Sequence, residues 1–212
     1  MLDLDNTLID RDAAFRGAAA AFLAEHRLPA DDLAWMVAED ASGYTPRPAF
    51  VDAIAGRYGD AVTLEAAWVL MDSGVVDRVG LAPAAAQALV AAREAGWRLA
   101  IVTNGKGVKQ RAKIRNAGLE HLVDGWAVSE DVGVKKPDAR MFAAAAQAAG
   151  ADWEAAWVIG DSPQADIAGA HALGLRSVWV GSGAWPGEAD KHPTHIAANA
   201  ADAIHYVLAA GR

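Results

Sequence analysis

Met1-Leu2-Asp3-Leu4-Asp5-Asn6-Thr7 opens the chain, and its reading decides the fold. Two carboxylates stand two apart behind a short apolar start, and a threonine follows two further on. Side chains alternate along a strand, so Asp3 and Asp5 leave it on the same face. Two acids held where a strand ends offer a nucleophile and a proton carrier a few ångströms apart, and a hard oxygen site for Mg²⁺. The plain alternative is a turn in which Asp and Asn cap local backbone. Only Met1 and Leu2 precede Asp3, whereas a central strand has about 5–6 residues. The expectation is either an unusually short first strand or a natural start upstream.

Working outward, three further pieces fall at the ends of predicted strands. Arg98-Leu99-Ala100-Ile101-Val102 is short and apolar, and Thr103-Asn104-Gly105 follows it. Val134-Lys135-Lys136-Pro137-Asp138 is a basic turn opening onto the helix-like run Ala139–Ala149. Ala156-Trp157-Val158-Ile159 is another apolar strand, followed by Gly160-Asp161-Ser162-Pro163-Gln164-Ala165-Asp166. In order, the chain offers Asp-x-Asp-x-Thr, a strand-end Thr, a Lys before Pro-Asp, and Gly-Asp-x-x-x-x-Asp. Each motif alone is weak. Together, in this order and over nearly the whole chain, they resemble the haloacid dehalogenase superfamily and, within it, its Mg²⁺-dependent phosphatases.

From Leu81 onward helix and strand patterns alternate. Helices are predicted over Pro83–Ala95, from about Val108 to Asn116, after Pro137, from Pro163 to Leu173 and from about Asn199 to Ala209. Short strands are predicted near Trp126-Ala127-Val128, over Arg176–Val180 and at His195-Ile196, besides those already quoted. Short apolar strands alternating with helices mean a doubly wound parallel sheet covered on both faces, an α/β core. Ligands in such sheets bind at the carboxyl ends of the strands, where all four motifs lie. Residues 12–80 read differently. Phe15, Phe22 and Leu23 share a helical stripe, and Asp31–Glu39, Ala49–Tyr58 and Leu64–Met71 look helical, with no convincing strand. The expected division is a core of residues 1–11 and 81–212 and a smaller all-helical domain of residues 12–80. The resemblance implies that this insertion is a cap closing over the active site and excluding bulk water.

The chain has 212 residues, 53% apolar and 22% charged, which suffices for a full core and suits a modest second domain. A net charge of −8 argues against a general nucleic-acid binder. There is no cysteine, so disulfide and thiolate chemistry is excluded. Neither a signal peptide nor a membrane-length apolar run is evident. The expected location is cytoplasmic, and the expected partner a small phosphorylated metabolite rather than nucleic acid or membrane.

The resemblance assigns roles residue by residue. Asp3 is the expected nucleophile and a Mg²⁺ ligand. Asp5 is the expected general acid and base, with its main-chain carbonyl on the metal. An acid here favours phosphate over halide chemistry, because halide leaves without a proton. Thr103 and Asn104 are expected to hold the phosphate by hydroxyl and amide donors. Lys136 is expected to neutralise Asp3 and the transferring phosphoryl group, with the adjacent Lys135 the competitor. Asp161 is the expected direct metal ligand, and Asp166 is expected to support the metal shell or orient Lys136. Gly160 is read as letting the backbone turn sharply. In the insertion, Arg47 of Tyr44-Thr45-Pro46-Arg47-Pro48 is a candidate contact for an anionic substrate group; a plain interhelix loop explains it equally well. The six histidines lack metal-ligand spacing and read as surface or core residues. The alternatives to a phosphatase are a phosphomutase using the same residues, and a protein that binds a phosphate ligand without turnover.

Overall fold

The structure is a computed structural model and describes residues 1–211. It divides into two units, Asp10–Val79 on the one hand and Met1–Ile9 with the chain from Gly80 onward on the other.

The unit Asp10–Val79 is helical: α1 (Arg11–Glu25), α2 (Leu33–Asp40), α3 (Arg47–Tyr58) and α4 (Leu64–Val69). The Asp10 carboxylate starts α1 by accepting from the Ala13 N–H at 2.8 Å. The alanine run then propagates the helix at no side-chain entropy cost. Its buried stripe is Phe15, Ala18, Ala19, Phe22 and Leu23, and Phe15 meets Phe50 of α3 edge-on, ring centroids 5.7 Å apart. The sequence places Arg47 in a loop, but the fixed φ of Pro48 suits a first helical turn, and α3 begins at Arg47. The predicted helix Leu64–Met71 stops being regular at Val69, and Leu70–Gly74 forms a wider π turn. A Cβ at Gly74 would lie 3.1 Å from the Ala18 side chain, so this turn needs a small residue to pack on α1. The unit also buries an ion pair. Arg11 donates to both oxygens of Asp40, one bond at 2.6 Å, and lies over the Phe15 ring at 5.0 Å. The Gly43 N–H adds a bond to Asp40 at 3.0 Å.

The larger unit contains α5 (Pro83–Glu94), β1 (Ala100–Thr103), α6 (Gly107–Asn116), β2 (Gly125–Val128), α7 (Ser129–Val132), α8 (Ala139–Ala148), β3 (Trp157–Gly160), α9 (Ala168–Ala172), β4 (Arg176–Val180), β5 (His195–Ala197) and α10 (Ala200–Ala210). All paired strands are parallel: β1 with β2, and β3 with β4 with β5. Residues 1–3 join the two sets. The Leu2 N–H donates to Ala100 O at 2.8 Å and Leu2 O accepts from Val102 N–H at 2.8 Å. On the other side the Asp3 N–H donates to Ile159 O at 2.9 Å and Met1 O accepts from Ile159 N–H at 2.9 Å. The predicted first strand is thus reduced to a bridge at Leu2, yet it makes the sheet continuous in the order β2, β1, residues 1–3, β3, β4, β5.

Every residue of β1 and β3 is buried, as expected when helices cover both faces of a parallel sheet. On one face Met141, Phe142 and Ala145 of α8 pack with Ala100, Val102, Ala127 and Val158. Residues of opposite parity, Ile101 and Ile159, are buried too. Helices α5 and α10 pack on each other, and α10 reaches β3, β4 and β5. The helix predicted over Pro163–Leu173 is split: Pro163–Ile167 is a π turn, and regular α-helix begins only at Ala168. No helix among the described residues is long and apolar enough to cross a membrane.

Candidate active site

The site stands at the carboxyl edge of the sheet. Asp3 is fixed there by its backbone bond to β3, and Asp161 follows the last residue of β3 directly. Lys136, in the turn before α8, extends its buried side chain between two acids. Its Nζ lies 2.5 Å from Asp3 Oδ1 and 2.6 Å from Asp166 Oδ1. Lys135 points to solvent. Asp166 Oδ2 accepts from the Ser162 N–H at 3.1 Å, so both of its oxygens are engaged. The π turn brings Asp166 back against β3, and a Cβ at Gly160 would lie 2.3 Å from the Asp166 carboxyl group. Gly160 is therefore required for close approach of Asp166. Its φ is not positive, so the small size of Gly160 rather than its conformational freedom is what the packing uses.

The charges do not balance. Asp3, Asp161 and Asp166 bring carboxylate oxygens within 4.8 Å of one another around the single ammonium of Lys136. Burial pushes Asp3 well above the usual carboxylate range; Lys136 opposes this, but Asp166 and Asp161 add to it. Asp161 is pushed up to about 6, first by burial and then by Asp166. Burial acts to lower Lys136, but Asp166 and Asp3 outweigh it and raise the group, so it stays charged. The Thr7 hydroxyl reaches Asp3 Oδ2 at 3.3 Å and Asp161 Oδ1 at 3.4 Å, long contacts that leave both oxygens with acceptor capacity. A crowded set of hard oxygen donors carrying excess negative charge fits a small divalent cation. Among the described residues this is the one grouping of His, Cys, Asp or Glu side chains close enough to share an ion, and no histidine joins it.

Asp5 lies outside that grouping and faces α6. Lys113 Nζ donates to Asp5 Oδ1 at 2.6 Å and to Oδ2 at 2.9 Å, and Gln110 Nε2 donates to Oδ2 at 2.8 Å. Gln110 Nε2 also lies 2.6 Å from the buried Thr103 Oγ1. The expectation had the Asn104 carboxamide donating to phosphate. The structure instead has it clasping the backbone of Lys136: Nδ2 donates to Lys136 O at 3.2 Å, and Oδ1 accepts from the Lys136 N–H at 2.8 Å. Asn104 thereby sets the position of the lysine. Arg47 pairs with Asp72 at 3.5 Å within its own unit.

Sequence reasoning passed over Thr7 as a contact of the acids, and missed Gln110 and Lys113 altogether. A signal for the last two existed. They stand three apart on one face of α6, and that face is buried although the helix is strongly polar. A buried Lys needs a counter-charge, and Asp5, an acid for which the sequence reading named no cationic partner, was available to supply it.

The family model described as haloacid dehalogenase-like hydrolase matches residues 1–174. A phosphoserine phosphatase of Thermus thermophilus is 41% identical over 116 residues, covering 55% of this chain and 47% of the relative. A phosphoglycolate phosphatase of Caulobacter vibrioides is 30% identical over 191 residues, covering 85% of this chain and 78% of the relative. The chain spans about half the length of the first curated relatives it matches. Among solved structures, the magnesium-bound HAD-hydrolase YfnB of Bacillus subtilis superposes with a TM-score of 0.75 over 97% of this chain and 96% of that one. At 23% identity this likeness speaks to the fold alone.

Proposed function

The chain belongs to the haloacid dehalogenase-like hydrolases, and from that premise we propose that it is a Mg²⁺-dependent phosphatase that hydrolyses a small phosphomonoester through an aspartyl phosphate on Asp3. The observation that carries this reading is the placement of Lys136 between Asp3 and Asp166 with Asp161 alongside. It fixes a carboxylate nucleophile in a site whose excess negative charge calls for a cation.

Asp3 attacks phosphorus while the ester P–O bond breaks, and Asp5 gives its proton to the leaving oxygen. Water then attacks the aspartyl phosphate and loses a proton to Asp5; the bond between Asp3 and phosphorus breaks, and inorganic phosphate leaves. Lys136 holds the Asp3 carboxylate in line and offsets charge on the transferring group. The Thr103 hydroxyl accepts from Gln110, so its own proton is left to donate to a phosphate oxygen. Asp3, Asp161 and the main-chain carbonyl of Asp5 would hold Mg²⁺, which when bound offsets the charge of the phosphate and of the carboxylates together. An acid at Asp5 has work to do on an alkoxide and none on a halide, which favours phosphate ester over haloacid.

A panel of phosphorylated metabolites, including phosphoserine and phosphoglycolate, assayed with and without Mg²⁺, tests the reading. The expected result is turnover of at least one ester, lost on chelation, restored by Mg²⁺ and restored less well by Ca²⁺, whose looser coordination misplaces the nucleophile. Full activity in excess chelator, or no turnover of any ester with Mg²⁺, overturns it.

A further inference from the structure

We propose that Gln110 and Lys113 form a positioning clamp for Asp5, fixing the one oxygen of its carboxyl group through which protons pass to the leaving group and from water. The proposal rests on the reading of Asp5 as acid and base. A carboxylate offers about four lone-pair sites, two on each oxygen. Asp5 Oδ2 accepts from Lys113 at 2.9 Å and from Gln110 at 2.8 Å, so both of its sites are taken. Oδ1 accepts from Lys113 at 2.6 Å, and one of its sites remains. That remaining site is where the proton of the reaction is carried.

The orientation of Gln110 follows from chemistry. A carboxylate only accepts, so the amide nitrogen faces Asp5 and the group cannot be turned over without losing the bond. The second N–H of the same nitrogen reaches Thr103 Oγ1 at 2.6 Å. One side chain therefore spaces the proton carrier from the hydroxyl assigned to the phosphate. Both clamp residues are enclosed, Gln110 3% and Lys113 8% exposed. An amide and an ammonium are costly to bury without partners, and Asp5 is the shared partner. The clamp stands one turn deep in α6 (Gly107–Asn116), which starts just after Thr103-Asn104-Gly105. The loop carrying the phosphate hydroxyl and the helix aiming the acid are thus one continuous piece of chain.

The test compares kcat/KM for glycerol 2-phosphate and p-nitrophenyl phosphate, using the full chain with Mg²⁺. The alkoxide of the first must be protonated to leave, whereas p-nitrophenolate departs as a stabilised anion. Lys113→Met and Gln110→Leu are each expected to lower the alkyl-to-aryl ratio of kcat/KM by about tenfold or more. Adding either change to Asp5→Asn is expected to leave the ratio of Asp5→Asn unmoved, because the clamp acts through that carboxyl group. A merely structural role would lower the melting temperature and reduce both substrates alike. An unmoved ratio in a folded Gln110→Leu protein overturns the clamp alone, even where Lys113→Met fails to fold. Absence of turnover by the wild-type chain of both substrates and of every ester in the metabolite panel overturns the phosphatase reading, and the clamp with it.

Discussion

Two of the places where the protein buries charge treat it in opposite ways. In the helical unit, Arg11 and Asp40 form a closed account of one positive and one negative group, with the Gly43 N–H supplying a further bond. In the α/β unit, three carboxylates crowd one lysine. The first arrangement is complete as it stands: Asp40 alone would be a buried, unopposed charge, and Arg11 alone would keep only the partly exposed Asp12 carboxylate at 3.2 Å. The second stays under electrostatic load until something positive arrives. Between these two sites, the balanced one is a pair that holds the fold, and the unbalanced one is where the proposed chemistry is done.

Four substitutions test that contrast, in order of expected effect. Asp3→Asn removes the nucleophile and should cut turnover by about 10⁴-fold or more, while the protein stays folded. Intact mass after rapid acid quench should show no added phosphoryl group, and labelling that survives would move the nucleophile elsewhere. Asp40→Ala should do the reverse, costing about 3 kcal/mol of stability by leaving the buried Arg11 with only the partly exposed Asp12 as counter-charge. Chemical denaturation reads this directly, and a loss under about 1 kcal/mol would mean that water rescues the arginine.

Asp161→Asn should stabilise the chelated protein at neutral pH by about 1–2 kcal/mol, since it removes a charge that the fold disfavours. The pH dependence fixes the sign. The folded group sits at about 6 against an ordinary value of 3.8, so the folded state holds its proton more tightly. The contribution of Asp161 to the stability of the chelated wild type should be fully present below that ordinary value and be lost as pH rises through about 6. The Asp161→Asn protein should show a flatter curve over that window, and parallel curves would contradict the imbalance. The smallest effect belongs to Arg47→Ala. Arg47 is only half-buried and its partner Asp72 is exposed, so stability should change by less than about 0.5 kcal/mol. A larger loss would show that exposed pairs in the helical unit also bear structural weight.

Much of the α/β pattern was legible because short apolar strands and helix caps are local signals. Asp138 and Asn199 cap α8 and α10 through bonds to N–H groups two and three residues ahead, and such spacing is visible in one dimension. The two π turns were not legible, because an extra residue in a turn is set by what packs against it: Ala18 against Gly74, and the Gly160 backbone against Asp166. At the site, the acids and Lys136 could be nominated from motif order. The Asp5 contacts with Gln110 and Lys113 left only the weak signal of two polar residues three apart on α6, since they join residues 105 and 108 positions apart. Asn104 shows the same limit from another side. Its residue type suits a phosphate donor, and only the three-dimensional arrangement shows its carboxamide engaged by the Lys136 backbone.

The seam at residues 1–3 has a temporal consequence. Asp3 gains its place only when Leu2 has paired with Ile101 on one side and Ile159 on the other. Those pairings span most of the chain, and contacts of such separation form late because their loop-closure cost comes first. During synthesis residues 1–3 must wait for a segment made more than 150 residues later. Until β3 arrives, Asp3 has no bond to Ile159, and Asp161 has not yet been brought beside it. The proposed nucleophile is thus among the last groups to acquire its neighbours, and a half-made chain carries the sequence of the site without its arrangement.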